Sequence, residues 1–228
     1  MLKKLVEDNR LGQTMILVLL CLFCILASVF RYYYSDTTQF LFLNWNLFLA
    51  AIPWLLSSFI SFRPDLQKKK FLLFLLFCIW MLFFPNAPYI LTDLIHLRLD
   101  SEMPIWFDLV FILSFSWTGL MFGFLSLMDI ESFLKQHFSK WKVFLLSTIV
   151  LFIAAFGIYL GRYLELNSWD AIREPLSFLG AMKKYFLQPL NHLDTWGLTL
   201  FMGAFLNLVF WSLKIIIKKK QVIKLKTK

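Results

Sequence analysis

Six apolar runs of about 20 residues, almost free of charge, limit what this chain can fold into more than any other feature of its sequence. At 1.5 Å rise per residue such a run matches the roughly 30 Å hydrocarbon core of a bilayer. The runs fall at 11–30, 41–62, 71–91, 105–128, 141–160 and 195–217. They predict an all-α, polytopic transmembrane helical bundle of about six spans, with residues 1–228 forming a single integral membrane domain. Composition agrees: 60% of residues are apolar, mean hydropathy is +0.70, and charged residues make up 16%, against about 25% in soluble domains.

Orientation follows from where lysine and arginine sit. With the N-terminus placed in the cytoplasm, 17 of the 23 basic residues fall on the cytoplasmic side and 6 outside. An even number of spans then puts both termini in the cytoplasm, in a bacterial-type cell (inner) membrane. The formal charge of +9 is thereby explained without a nucleic-acid partner. Residues 218–228 form a basic tail beside a span, suited to anionic lipid headgroups. Membrane lipids are the expected surroundings, and a membrane protein partner or a second copy of the chain is compatible with them.

The first run follows Lys3, Lys4 and Arg10 but is longer than a signal peptide's apolar region, so it reads as an uncleaved first span. Cys21 and Cys24 form a C-x-x-C inside it, with no second pair and no flanking histidine, and Cys78 lies in another apolar run. All three read as small apolar filler rather than redox or zinc groups. Gly119-x-x-x-Gly123 and Gly157-x-x-x-Gly161 read as places where helices approach closely.

The segment Phe84-Pro85-Asn86-Ala87-Pro88-Tyr89-Ile90-Leu91-Thr92-Asp93-Leu94-Ile95-His96 carries most of the functional information. Only about 21 Å of helix fits between Phe71 and Phe84, short of a full crossing. Pro85 and Pro88 remove two amide donors and bias Phe84 and Ala87 away from helical geometry, so the third span should be broken at Pro-Asn-Ala-Pro and resume as a short helix. The freed carbonyls then need protein or a wet cavity, and Asn86 offers both a donor and an acceptor there. Asp93 and His96 are three apart, and Thr92 and His96 four apart, on one helical face. The carboxylate can orient the imidazole as a base, a proton carrier or a metal ligand. An ordinary polar helix end is the competing reading.

This segment resembles the hallmark of an uncharacterised bacterial integral membrane protein family, domain of unknown function 1361. Gly161-Arg162-Tyr163-Leu164 with Asn167-Ser168-Trp169-Asp170 is similar to that family's second hallmark, although Glu165 stands where the pattern implies a basic residue. The resemblance implies a membrane fold and compartment, and no particular activity.

On the residues alone, Arg162 is either a cation at a helix C-terminus or a fork for an anionic group. Asn167 and Ser168 suit a helix cap ahead of Trp169 and Asp170. Residues 175–188 place Leu176, Leu179, Met182, Phe186 and Leu187 on one side, as in a helix lying on the outer membrane surface in the manner of a lid. His192 and Asp194 precede the last span and, with Asp93 and His96, would make a plausible divalent-metal set. Asn86, Tyr89, Asp93, His96, Arg162, Asn167, Trp169 and Asp170 are therefore the candidate substrate-binding residues, with Asp93, His96 and Arg162 expected in one extracytoplasmic site.

Three functions fit: a small transporter or substrate-binding membrane component with an outward-facing polar pocket, a membrane-embedded enzyme acting on lipid-linked or envelope substrates, or a non-catalytic scaffold. The chain carries no G-x-S-x-G, H-E-x-x-H or P-loop motif, which disfavours familiar serine, zinc and nucleotide-driven enzymes. Leu5→Cys and Leu225→Cys variants should both resist a membrane-impermeant thiol reagent in intact cells and react after permeabilisation. Labelling of either in intact cells would overturn the orientation.

Overall fold

The computed structural model describes residues 2–63, 65, 66, 69–97, 102–166, 168, 170–187 and 191–226. The described elements are helical throughout. They are α1 (Leu2–Ser35), α2 (Phe42–Phe62), α3 (Lys70–Phe83), α4 (Asn86–Tyr89), a 3₁₀ helix (Ile90–His96), α5 (Ile105–Leu134), α6 (Lys140–Tyr163), α7 (Asp170–Arg173), α8 (Pro175–Leu187) and α9 (Leu193–Lys226). Six segments are long and apolar enough to cross a membrane: Arg10–Ser35, Phe42–Phe62, Lys70–His96, Ile105–Leu134, Lys140–Tyr163 and Leu193–Ile217. Asn167, Trp169 and the last two residues of the basic tail lie outside the described residues.

The chain divides into two compact units, Met1–Ile130 and Glu131–Lys228. In the first, α2 packs against α1, α3 and α4, around buried Leu43, Leu47, Ala50, Ala87 and Phe115. Cys24 is buried with its thiol 3.5 Å from the Thr118 hydroxyl, Cys21 is half-buried, and all three cysteines are free thiols. In the second unit α6 lies along α9, and the chain relies on close approach there too. A Cβ added at Gly203 would run into the Phe152 ring.

Among the helices that overrun the ends expected of them, α1 and α5 do so for one physical reason. α1 continues past residue 30 through Arg31, and α5 past residue 128 through Asp129. Each of these charges is paired inside the protein, Arg31 with Asp108 and Asp129 with Arg10. A neutralised charge no longer marks where a span must stop.

The third segment keeps turning where the prolines interrupt it. Regular α-helix stops at Phe83, yet Phe84 has φ −56° and ψ −39° and Pro85 has φ −60° and ψ −24°. The expectation that Pro85 drives Phe84 out of helical geometry therefore fails. Burial holds Phe84 in place against the Trp80 ring, with centroids 4.7 Å apart, and its N–H donates to the Trp80 carbonyl. What changes is the hydrogen bonding. Ala87 N–H donates three residues back to Phe84, and the Asn86 side-chain amide donates to the Phe83 carbonyl at 3.0 Å.

The segment rests on one face of α5 made of Ser116, Gly119, Gly123 and Ser126, spaced three, four and three apart. Ser116 donates to the Ile90 carbonyl at 3.0 Å and Trp80 Nε1 to Ser126 Oγ at 3.3 Å. A Cβ at Gly119 would stand 2.6 Å from the Ala87 carbonyl oxygen, and one at Gly123 would stand 2.9 Å from the Ala87 Cβ. Gly119→Ala should therefore lower stability by about 1–3 kcal/mol, as overpacking does. Gly12→Ala, where nothing lies within 4 Å, should not. Thermal loss of the monodisperse peak in detergent measures both, and equal melting of the two variants would refute the tight approach.

Candidate functional site

In the first unit, the C-terminal end of α1, the start of α2, the 3₁₀ helix and the start of α5 gather buried polar groups at one end. Arg31 Nε donates to Asp108 Oδ1 at 2.8 Å and its NH2 group to Oδ2 at 3.2 Å, a bidentate pair with both side chains at most 2% exposed. Arg31 NH1 also donates to the Thr37 hydroxyl and, at 3.0 Å, to the Gln39 carbonyl. Asp108 sits in the first turn of α5, where a carboxylate suits the helix dipole. The guanidinium lies 4.6 Å from the Phe40 ring centroid. Phe40 itself has φ 69°, a left-handed conformation that costs a bulky residue about 1–3 kcal/mol. Its burial and the bonds Arg31 makes to this loop offset that cost.

In the same unit the 3₁₀ helix presents Asp93. Its side chain is fully buried and accepts a hydrogen bond from Asn46 Nδ2 at 3.1 Å. In a 3₁₀ helix, side chains three apart eclipse, so Ile90, Asp93 and His96 share one edge. The Thr92–His96 pairing expected of an α-helix is lost in this geometry, and the Thr92 hydroxyl donates to the Tyr89 carbonyl instead. His96 is half-buried, its ring edge-on to Phe42 with centroids 5.6 Å apart. Tyr89 and Asn86 are also half-buried.

The remaining candidates belong to the second unit. Arg162 is half-buried in the last turn of α6, and Asp170 opens α7, its carbonyl accepting from Glu174 N–H. Asp194 is exposed in the first turn of α9. His192 packs against Tyr185, ring centroids 4.4 Å apart, and Tyr185 in turn meets Tyr159 edge-on. Burial and the nearby Tyr159 hold the Tyr185 phenol above its ordinary pKa, so it stays neutral. α8 is helical as its sequence predicts, but Leu176 is exposed and the described residues that it buries are Tyr185 and, in part, Met182. Among the described residues no group of three or more His, Cys, Asp and Glu is assembled to hold a metal ion.

Sequence reasoning missed the Arg31–Asp108 pair and Asn46. The available signal was two opposite charges at the same end of two spans, each displaced by one turn into apolar sequence. At the other end of the unit, Arg10 joins Asp129 and donates to Ser58 Oγ at 2.7 Å, while Ser57 donates to Asp129 at 2.8 Å.

These features define a multi-pass helical membrane protein with paired ionisable groups at both ends of its first unit, fully buried at the Arg31–Asp108 end. A family model described as "Protein of unknown function (DUF1361)" matches residues 45–209, and the chain belongs to that family. No curated protein and no solved structure matches it.

Removing one member of a buried ion pair strands its partner's charge, at about 3–5 kcal/mol. Arg31→Leu should accordingly destabilise the protein strongly, and the Arg31→Leu/Asp108→Leu double variant should recover most of the loss. Thermal melts of purified protein in detergent test this, and additive losses in the double variant would deny the coupling.

Proposed function

We propose that the protein is a small membrane transporter or substrate-binding membrane component whose polar site is built around Asp93. One observation carries this reading: a fully buried carboxylate inside a membrane-crossing segment, on a 3₁₀ helix that follows an interrupted α-helix. Ionisable groups within membrane-crossing segments are costly, and in membrane proteins they serve ion, proton or substrate pathways. Interrupted helices supply binding sites in many transporters, because the backbone there leaves the regular ladder.

Asn46 and His96 fit the role chemically. The amide donates to the carboxylate when it is ionised and can turn to accept from it when it is protonated. His96 lies one 3₁₀ turn from Asp93, on the same edge, and can pass protons or neutral hydrogen bonds outward. With both termini in the cytoplasm, this end of the first unit faces outward. The substrate or coupling ion is then a proton, a cation or a group that donates hydrogen bonds.

The same Asp93–His96 edge also suits acid–base catalysis on an envelope substrate, and one experiment separates the possibilities. Metabolites and envelope lipids should be profiled in a deletion strain and in an Asp93→Asn strain with normal protein level in the membrane. Transport predicts that both strains lose or accumulate the same unmodified solute. Build-up of an unconverted lipid-linked precursor in both would replace transport with catalysis. A changed profile in the deletion strain alone would leave only a scaffold role.

A further inference from the structure

The second unit holds a charge cluster that the site at Asp93 does not use. Glu131 is 1% exposed and its carboxylate takes four hydrogen bonds. Ser147 Oγ donates to Oε1 at 2.8 Å, Lys135 Nζ to Oε2 at 2.9 Å, and Lys214 Nζ to Oε1 and Oε2 at 2.8 and 2.6 Å. A carboxylate has about four lone-pair positions, so the four bonds use up what Glu131 can accept, three of them from two ammonium groups. Two lysines on one carboxylate leave one positive charge over. The bonds to Glu131 also use only half of the six N–H donors that the two ammonium groups carry.

The surroundings indicate what answers that charge. Lys214 is 22% exposed and lies near the end of a candidate membrane span, with its Nζ 3.8 Å from the Trp211 ring centroid. Lys135 is 44% exposed. Phe144 links the Trp211 ring to Trp141, with centroids 4.6 and 5.3 Å apart, and both Trp141 and Phe144 are exposed. Exposed aromatic rings beside cations at a span end are the arrangement of a membrane interface, with polar heads at one level and acyl chains along the rings. We propose that Lys135 and Lys214, held apart by Glu131, bind the phosphodiester of an anionic phospholipid, whose chains lie along Phe144 and Trp211.

Native mass spectrometry of the full chain, released from detergent containing equimolar phosphatidylglycerol and phosphatidylcholine, tests this. Wild type should retain phosphatidylglycerol in preference. Lys135→Gln leaves Lys214 and Glu131 as a neutral pair and should cut the preference roughly fivefold, the worth of one interfacial charge. Lys135→Arg should keep it, which separates lost charge from misfolding. A Lys140→Gln/Lys142→Gln double variant, which removes two exposed lysines at the same helix end, should lower the preference less than Lys135→Gln does, because exposed charges are screened by solvent and salt. Equal retention of both lipids by wild type, or a Lys135→Gln variant with undiminished preference, would overturn the site. The same loss in the Lys140/Lys142 variant would reduce it to diffuse surface charge, and displacement of the lipid by millimolar inorganic phosphate would reassign it to a free anion.

Discussion

The first unit depends on how the segment from Trp80 to Ile90 lies on α5. Two prolines remove N–H donors from a stretch inside apolar surroundings, and water cannot make good the loss there. The chain solves this locally. Asn86 turns its own amide onto the Phe83 carbonyl, the Ala87 N–H shortens its reach to Phe84, and Ser116 donates across to the Ile90 carbonyl. The last of these bonds crosses between the segment and α5, and it forms only if the two backbones come close. Gly119 and Gly123 permit that approach, since any Cβ there would collide with Ala87. The 3₁₀ winding beyond Ile90, and the position of Asp93 on it, follow from this seat.

Paired charge then sets how α1 and α5 run. Arg10 pairs with Asp129 near one end of both helices, and Arg31 pairs with Asp108 near the other. Two pairs at opposite ends tie the helices antiparallel and fix their register, because sliding either by one turn would break both pairs. Each pair carries extra donors or acceptors from Ser57, Ser58, Thr37 and the Gln39 carbonyl. Without such bonds the desolvation of the two ions would outweigh their attraction. The unusual backbone of Phe40 belongs to the same arrangement, since the loop that carries it is the one that completes the shell of Arg31.

The spans were legible in the sequence because about 20 apolar residues in a row have few alternatives. Their ends were not, because Arg31 and Asp129 looked like boundaries and are in fact neutralised inside the fold. Gly119 and Gly123 were readable as a contact face, while their partner, the proline segment itself, needed coordinates. Asp93 was readable as a site candidate from its neighbours in sequence. Asn46 was not, since nothing in the chain order connects the start of α2 with residue 93. The local spacing also misled at Thr92. A period of 3.6 pairs it with His96, and the tighter winding turns it away to the Tyr89 carbonyl.

The contrast between two buried carboxylates at the same end of the first unit sharpens the case for Asp93. Asp108 is gripped by both arms of a guanidinium that is always charged, and it lies at the N-terminal turn of a long α-helix. Both contacts hold the Asp108 side chain in one geometry, so it serves to join α1 to α5. Asp93 is held in part by the neutral amide of Asn46, a group that presents a donor or an acceptor according to how it turns. It also stands on 3₁₀ backbone, whose hydrogen bonds are poorer than those of an α-helix. A carboxylate that exchanges protons or ligands needs partners able to follow the change. Of these two carboxylates, Asp93 is the one with an amide beside it that can present either a donor or an acceptor.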